Sequence, residues 1–326
     1  MARYSHDPGL VNHDIVVIGG SAGAVDVMLE MVSELPRNLA ASIFVVVHVH
    51  PTSPSSFPEL LSRRGPIPAH HPIHGEKIAP SRIYVAPPDM QLLVRNGYVE
   101  VIRGPRENGH RPAVDALFRT AAAAYGPRVI GVVLSGYLDC GTAGMMSIKA
   151  RGGIAVAQSP DSAIARDMPE HVIERLPVDH VVDPLELPGL LAKLVPTPAP
   201  EPLEIASAVR QLEGDRPGDA AELVCPTCQG VLTEAQAGAV QQFRCHVGHT
   251  FSMESLLKEQ SEELERALWA AVRALEESAA ISRRMGATAG GRFEEKARTQ
   301  RDEAEIIRHI LLHGEMLTPS DAPKAG

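Results

Sequence analysis

Through the first two-thirds of the chain, short runs of aliphatic and β-branched residues alternate with segments whose apolar positions recur every three to four residues. The Val- and Ile-rich runs at 15–18, 43–47, 82–86, 91–95, 99–102, 129–134 and 154–157 predict strands, and the stretches 25–33, 55–62, 113–125, 142–151 and 168–175 predict helices. Strands that are apolar throughout, rather than at every second position, are those buried on both faces. The pattern therefore predicts an α/β fold, a doubly wound parallel sheet of Rossmann-like kind between two helical layers, over residues 12–195. Sites in such sheets form outside the carboxyl ends of the strands. Ser21, His48 and the loop after Leu134 all fall at such ends.

Beyond residue 195 the pattern changes. Four prolines in the eight residues 195–202 predict an extended linker, placed over 196–221. A cysteine-containing module is expected at 222–252. A Glu-, Leu- and Ala-rich helix follows from 253 to about 282, then a Gly-rich break at 286–291 and a second helix at 292–314. The two make a helical hairpin over 253–314, suited to docking or self-association, and 315–326 reads as a disordered tail.

Composition narrows the class. A formal net charge of −9 argues against nucleic acid as a partner, because phosphate binding needs a basic surface. No apolar run approaches the roughly 20 residues that span a bilayer, and the first residues lack the apolar core of a secretory signal. The expectation is a cytoplasmic protein without membrane insertion. In a reducing compartment, three cysteines within 21 residues read as a metal site rather than a disulfide set.

The chemistry begins at residues 14–23, where a β-branched run breaks into Gly19, Ser21 and Gly23. Gly-x-Ser-x-Gly after a strand and before a helix presents a nucleophilic hydroxyl on a sharp turn. The same small-residue turn can cradle a phosphate at a helix N-terminus, but Ala24 and Asp26 break the dinucleotide pattern, and no ribose-binding acid is evident. His48, at the tip of the next strand, pairs with Ser21 as nucleophile and base. His50 is its rival, whereas His70, His71, His74 and His110 read as surface or loop residues.

These segments, with Ser135-Gly-x-x-Asp-x-Gly-x-x-Gly144 after a third strand, resemble the catalytic domain of CheB-type chemotaxis protein-glutamate methylesterases. Residues 83–89 (Ile-Tyr-Val-Ala-Pro-Pro-Asp), 111–118 (Arg-Pro-Ala-Val-Asp-Ala-Leu-Phe) and 152–158 (Gly-Gly-Ile-Ala-Val-Ala-Gln) agree in order, so the resemblance spans about 12–195. It implies a hydrolase of glutamate γ-methyl esters, and often a deamidase of glutamine, acting on chemoreceptor helices. It also implies that Ser21 is the nucleophile and His48 the base. The family's catalytic aspartate falls on Cys140, and Asp139 stands one residue early. Three outcomes follow: Asp139 reaches His48, Cys140 serves as thiolate, or the domain is a slowed esterase or a partner-binding scaffold. Removing a triad carboxylate has cost about 10⁴ in turnover in another fold. The catalytic strand begins near residue 14, so the family's phosphoacceptor receiver, and control by phosphorylation, are not expected in this chain.

Cys225-x₂-Cys228, sixteen residues, then Cys245-x₃-His249 supplies two ligand pairs on tight turns, the donor set of a structural Zn²⁺ site. His246 is the alternative to His249, but adjacent residues rarely chelate one ion. The arrangement, followed by Phe251-Ser-x-Glu-Ser-Leu-Leu257, resembles a C-terminal extension of some methylesterase-like proteins and implies a zinc-ribbon-like module for protein contacts.

Overall fold

The computed structural model describes residues 11–53, 56–214, 218–289 and 291–313; the tail expected at 315–326 lies outside them. Contacts divide the chain into two compact units, one ending at Leu256 and the other beginning at Leu257.

The first unit is built on the predicted sheet. Strand β1 (Ile15–Gly20) leads through helix α1 (Ala24–Glu34) to β2 (Ser42–Val47), and helix α2 (Phe57–Arg64) leads to the short β3 (Ala69–His70) and then β4 (Arg82–Val85). After a hairpin of β5 (Gln91–Arg95) and β6 (Tyr98–Ile102), helix α3 (Val114–Tyr125) precedes β7 (Val129–Val133). Helix α4 (Thr142–Lys149), β8 (Ile154–Gln158), α5 (Asp167–Arg175), β9 (His180–Val182) and α6 (Leu187–Leu194) complete the domain. Seven strands pair in the order β3-β4-β2-β1-β7-β8-β9, all parallel.

Alternation within the buried strands explains both helical layers. Val17, Phe44, Val46 and Val133 point to a core shared with Leu117 and Phe118 of α3. Their neighbours Val16, Ile18, Ile43, Val45 and Val132 point to the opposite core, filled by Met28 and Met31 of α1 and Leu191 of α6. β1 thus sits centrally, with its crossover to β2 on one side and β7 on the other, which is the switch point where such sheets bind ligands.

Two expectations need correction. The runs at 91–95 and 99–102 are strands, but they form an antiparallel pair outside the parallel sheet. Only Asn96 and Gly97 separate them, far too few residues for a parallel crossover; Gly97, at φ 85°, supplies the turn. The segment expected as a linker is partly built into the domain. Ala199 donates to the Val11 carbonyl and His13 to that of Thr197. Helix α7 (Ser207–Glu213) buries Val209 and Leu212, and its Glu213 forms a buried bidentate ion pair with Arg151 at 2.5 and 2.8 Å.

The cysteine module is an antiparallel sheet of β10 (Asp219–Val224), β11 (Val231–Ala237), β12 (Val240–Cys245) and β13 (Thr250–Phe251). Leu232, Phe243, Phe251 and Leu256 pack beneath the cysteines.

Helix α8 (Met253–Ala289) is longer than expected, for it continues through Gly286 to Ala289. One glycine costs a helix interior only about 1 kcal/mol. Within the second unit α8 pairs with α9 (Gly291–His313). Gln300 bonds to Ser278 at 2.6 Å, Arg308 pairs with Glu276, and Val272, Ala279, Ala297 and Ala304 are buried. Among the described residues no helix is long and apolar enough to cross a membrane.

Candidate active site

The parallel register of β1 and β2 sets Gly20 opposite Val47, so the next residue of each strand, Ser21 and His48, emerge side by side. The His48 amide donates to the Gly20 carbonyl at 3.2 Å, and the Ser21 amide to that of Ser135 at 2.8 Å. Ser21 therefore stands between the β2 tip and the loop that leaves β7. Helix α1 starts three residues later, which puts the serine at the positive end of the helix dipole.

Small residues make this position accessible. A Cβ on Gly19 would lie 2.1 Å from Val114 of α3. One on Gly136 would lie 2.8 Å from the Ser21 Cβ and 2.1 Å from the Met168 sulfur. Gly23 turns the chain at φ 83°, a conformation open to glycine at little cost.

His48 lies flat against His110, with ring centroids 3.6 Å apart and planes within 11°. His110 is therefore part of the site, not the loop bystander expected from the sequence. Its signal was its place directly before the Arg111-Pro-Ala-Val-Asp115 pattern. His50, the rival base, instead bonds Thr52 at 2.9 Å and is exposed. The rim beside His110 is fixed by Asp89, which receives Arg111 at 2.6 Å and Arg103 at 3.0 Å. Bonding to Arg111 holds the Asp89 carboxyl below its ordinary range.

The third position brings together two buried residues, Asp139 and Cys140. Asp139 is buried, but Oδ1 accepts the Ser252 hydroxyl at 2.6 Å and Oδ2 accepts Arg175 at 2.8 Å, so the expectation that it turns to His48 is corrected. Arg175 also binds Glu254 at 2.6 Å, and this two-carboxylate fork fixes Asp139 in place. Cys140 is buried too, and burial, reinforced by the charge of Asp115, pushes its thiol well above the ordinary value. Burial of this kind works against the thiolate alternative. Asp115 accepts Asn108 at 2.8 Å and the Gly144 amide at 2.7 Å; burial raises its pKa from 3.8 to about 6.

Arg175, Ser252, Glu254 and Asn108 escaped the sequence reading. Each meets the site through a contact between distant segments.

The cysteine module brings its four expected ligands together. Donor atoms of Cys225, Cys228, Cys245 and His249 all lie within 4.8 Å of one another. Cys225 and Cys228 flank the turn after β10; Cys245 ends β12, where its amide bonds the His249 carbonyl at 3.0 Å. The Cys228–Cys245 sulfurs are 3.6 Å apart, and the His249 Nδ1 lies 3.7 Å and 3.5 Å from Cys225 and Cys245. A tetrahedral ion with Zn–S near 2.3 Å and Zn–N near 2.0–2.1 Å requires edges of about 3.8 and about 3.6 Å. The donor set fits that geometry. His246 is exposed and lies against Gly230, outside the cluster.

A serine on a strand–helix turn, set by register beside a histidine at the switch point of an all-parallel sheet, defines a doubly wound α/β domain with a candidate hydrolytic site. The chain belongs to the CheB methylesterase family, whose model matches residues 16–191. It is 33% identical over 186 residues to a protein-glutamate methylesterase/protein-glutamine glutaminase of Methanococcus maripaludis, covering 56% of this chain and 51% of that protein. A putative protein of the same description from Leptospira interrogans is 33% identical over 185 residues, covering 56% of this chain and 96% of its own length. The chain thus spans about half the length of the first relative and nearly all of the second. The crystal structure of the Thermotoga maritima CheB methylesterase catalytic domain superposes with a TM-score of 0.54 at 32% identity, covering 57% of this chain and all of that one.

Proposed function

We propose that this chain hydrolyses glutamate γ-methyl esters, and deamidates glutamine, on chemoreceptors or a related methylated protein. The observation that carries this reading is the β1–β2 register, which sets Ser21 beside His48 at the carboxyl edge of the sheet. The Ser21 Oγ attacks the ester carbonyl while His48 takes its proton. Negative charge gathers on the carbonyl oxygen at the N-terminal end of α1, where backbone N–H groups favour it. His48 returns the proton to the departing methoxide, or to the amide nitrogen of a glutamine as its C–N bond breaks and ammonia leaves. Water, deprotonated by His48, then frees the acyl-serine. The test is methanol release from a methylated receptor: it is abolished by Ser21→Ala, and release unchanged by that substitution overturns the reading.

A second reading, a partner-binding scaffold with weakened catalysis, is favoured by the neutral Cys140 and by the fork that holds Asp139. Receptor binding without Ser21-dependent methanol release identifies it.

The Cys₃His cluster holds Zn²⁺ as a structural ion: its thiolate and imidazole donors suit that metal, and four protein ligands leave no position for substrate. Free thiols of this kind suit the reducing cytoplasm. Exposed Leu257, Leu264 and Trp269 on α8 support self-association through the hairpin, tested by sedimentation of the full chain against Leu264→Glu/Trp269→Glu.

A further inference from the structure

The segment that leaves the metal cluster continues directly into the loop beside the histidine base. His249 is the last ligand, and Thr250 follows it. The Thr250 carbonyl accepts the Asn108 amide at 2.7 Å, and its amide donates to the Arg106 carbonyl at 3.3 Å. Thr250 thereby bridges Glu107 in parallel, extending the module's β13 onto the 106–110 loop. Two residues on, the Ser252 amide and the Ser255 hydroxyl both donate to the Asn108 side-chain oxygen at 2.8 Å. Asn108, 5% exposed at φ 51°, is thus held from both its backbone and its side chain. Its amide group binds Asp115 at 2.8 Å, on the helix that supports the serine turn. Two residues after Asn108 stands His110, whose ring covers that of His48 at 3.6 Å.

We propose that Thr250, Ser252, Ser255, Asn108 and His110 are positioning residues for the His48 base, and that closing the Cys₃His cluster sets the plane of its imidazole. The proposal rests on the reading of His48 as base and of the cluster as a zinc site. Two independent restraints converge on the same loop: the strand pairing of Thr250 and the buried hydroxyl pair of Ser252 and Ser255. Hydrogen bonds join Thr250, directly after His249, to Asn108, two residues before His110, and coupling through such a network requires an element with two arrangements. The loop of residues 106–110 is that element, ordered by the module when the ligands are drawn together. In a site whose third position is a neutral thiol, orientation of the base by a stacked ring takes the place of orientation by a carboxylate.

The test uses the full chain with ¹⁵N-labelled histidine, loaded with Zn²⁺ or stripped by a chelator. Ring signals of His48 and His110 are assigned by His48→Gln and His110→Gln. Removing the metal shifts and broadens both signals and leaves that of His13, buried at the opposite end of β1, in place. Unmoved His48 and His110 signals in metal-free protein overturn the proposal. If His13 moves as well, the chain has unfolded, and the zinc-loaded Ser252→Ala/Ser255→Ala variant decides. It shifts His110 and His48 with full metal content, and unchanged signals overturn the proposal. Because the readout is the imidazole itself, it is independent of methanol release: loss of the esterase reading alone leaves these shifts in place.

Discussion

The hydroxyl of Ser252 donates a 2.6 Å hydrogen bond to Oδ1 of Asp139, tying the cysteine module to the loop that follows β7. Both residues are buried. Ser252→Ala leaves a desolvated carboxylate oxygen without that donor, and bonds to charged groups contribute about 1.5–3 kcal/mol. Urea unfolding of the variant shows a loss of that size, with the Arg175 bond to Asp139 retained. A change under about 0.5 kcal/mol, the range of ordinary surface substitutions, contradicts this account of the contact.

Cys140→Asp restores a carboxylate at the position where the family places its catalytic acid. On the proposed reading, in which His48 takes the Ser21 proton, the imidazolium then gains an opposite charge, and methanol release rises. The ceiling is about 10⁴-fold, the cost of losing that carboxylate elsewhere. Equal rates for wild type and variant mean that the residue at 140 has no part in the chemistry.

Asp115 makes the fold more stable in mild acid. Its folded pKa, about 6, lies above the ordinary 3.8, so between these values the folded chain holds a proton that the unfolded chain has released. Its penalty is complete above about pH 6 and is relieved as pH falls toward 4, by up to about 3 kcal/mol from a shift of this size. Asp115→Asn flattens this part of the stability profile. The measurement is the difference between the two proteins' unfolding free energies at pH 4 and pH 7, so the loss caused by the altered hydrogen bond to Asn108 cancels.

Zinc content separates the two cysteine environments. Cys228→Ser lowers bound zinc below one ion per chain and lowers the melting temperature, whereas Cys140→Ser leaves metal content unchanged. Elemental analysis with thermal unfolding checks both; full zinc occupancy in Cys228→Ser rules out its role as a ligand.

Leu138 adopts φ 62°, a conformation that costs a side-chain-bearing residue roughly 1–2 kcal/mol. Asp167 accepts its amide at 3.1 Å and holds the turn. Leu138→Gly removes that strain against a gain in unfolded-chain entropy, and the net is a rise in stability of under about 1 kcal/mol. A lower melting temperature means that the Leu138 side chain contributes more by packing than the turn loses by strain.

The parallel sheet was legible because its strands are β-branched and apolar on both faces, and the Ser21–His48 pairing followed from their places at strand ends. The clustering of Cys225, Cys228, Cys245 and His249 was legible from spacing, since two short turns need little tertiary information. Other features depend on partners far away in sequence. Helix α7 has only seven residues, too few for a clear period, and its burial is decided by Arg151, 62 residues earlier. Likewise, no local pattern says that Asp139 will meet Ser252, 113 residues later, rather than His48. The 91–102 hairpin is a different case: Asn96-Gly97 announced the turn, and the apolar content of its strands concealed it.

Gly136 and Cys140 lie four residues apart on one loop, yet they tolerate change very differently. At 140 a thiol fills the space with the core intact, so acidity there can be exchanged by single substitutions while the scaffold persists. At 136 even a methyl group meets the Ser21 Cβ at 2.8 Å, and no drift of sequence can enlarge that residue without moving Ser21. The loop thus separates a position open to exchange from one closed by the side chain it abuts.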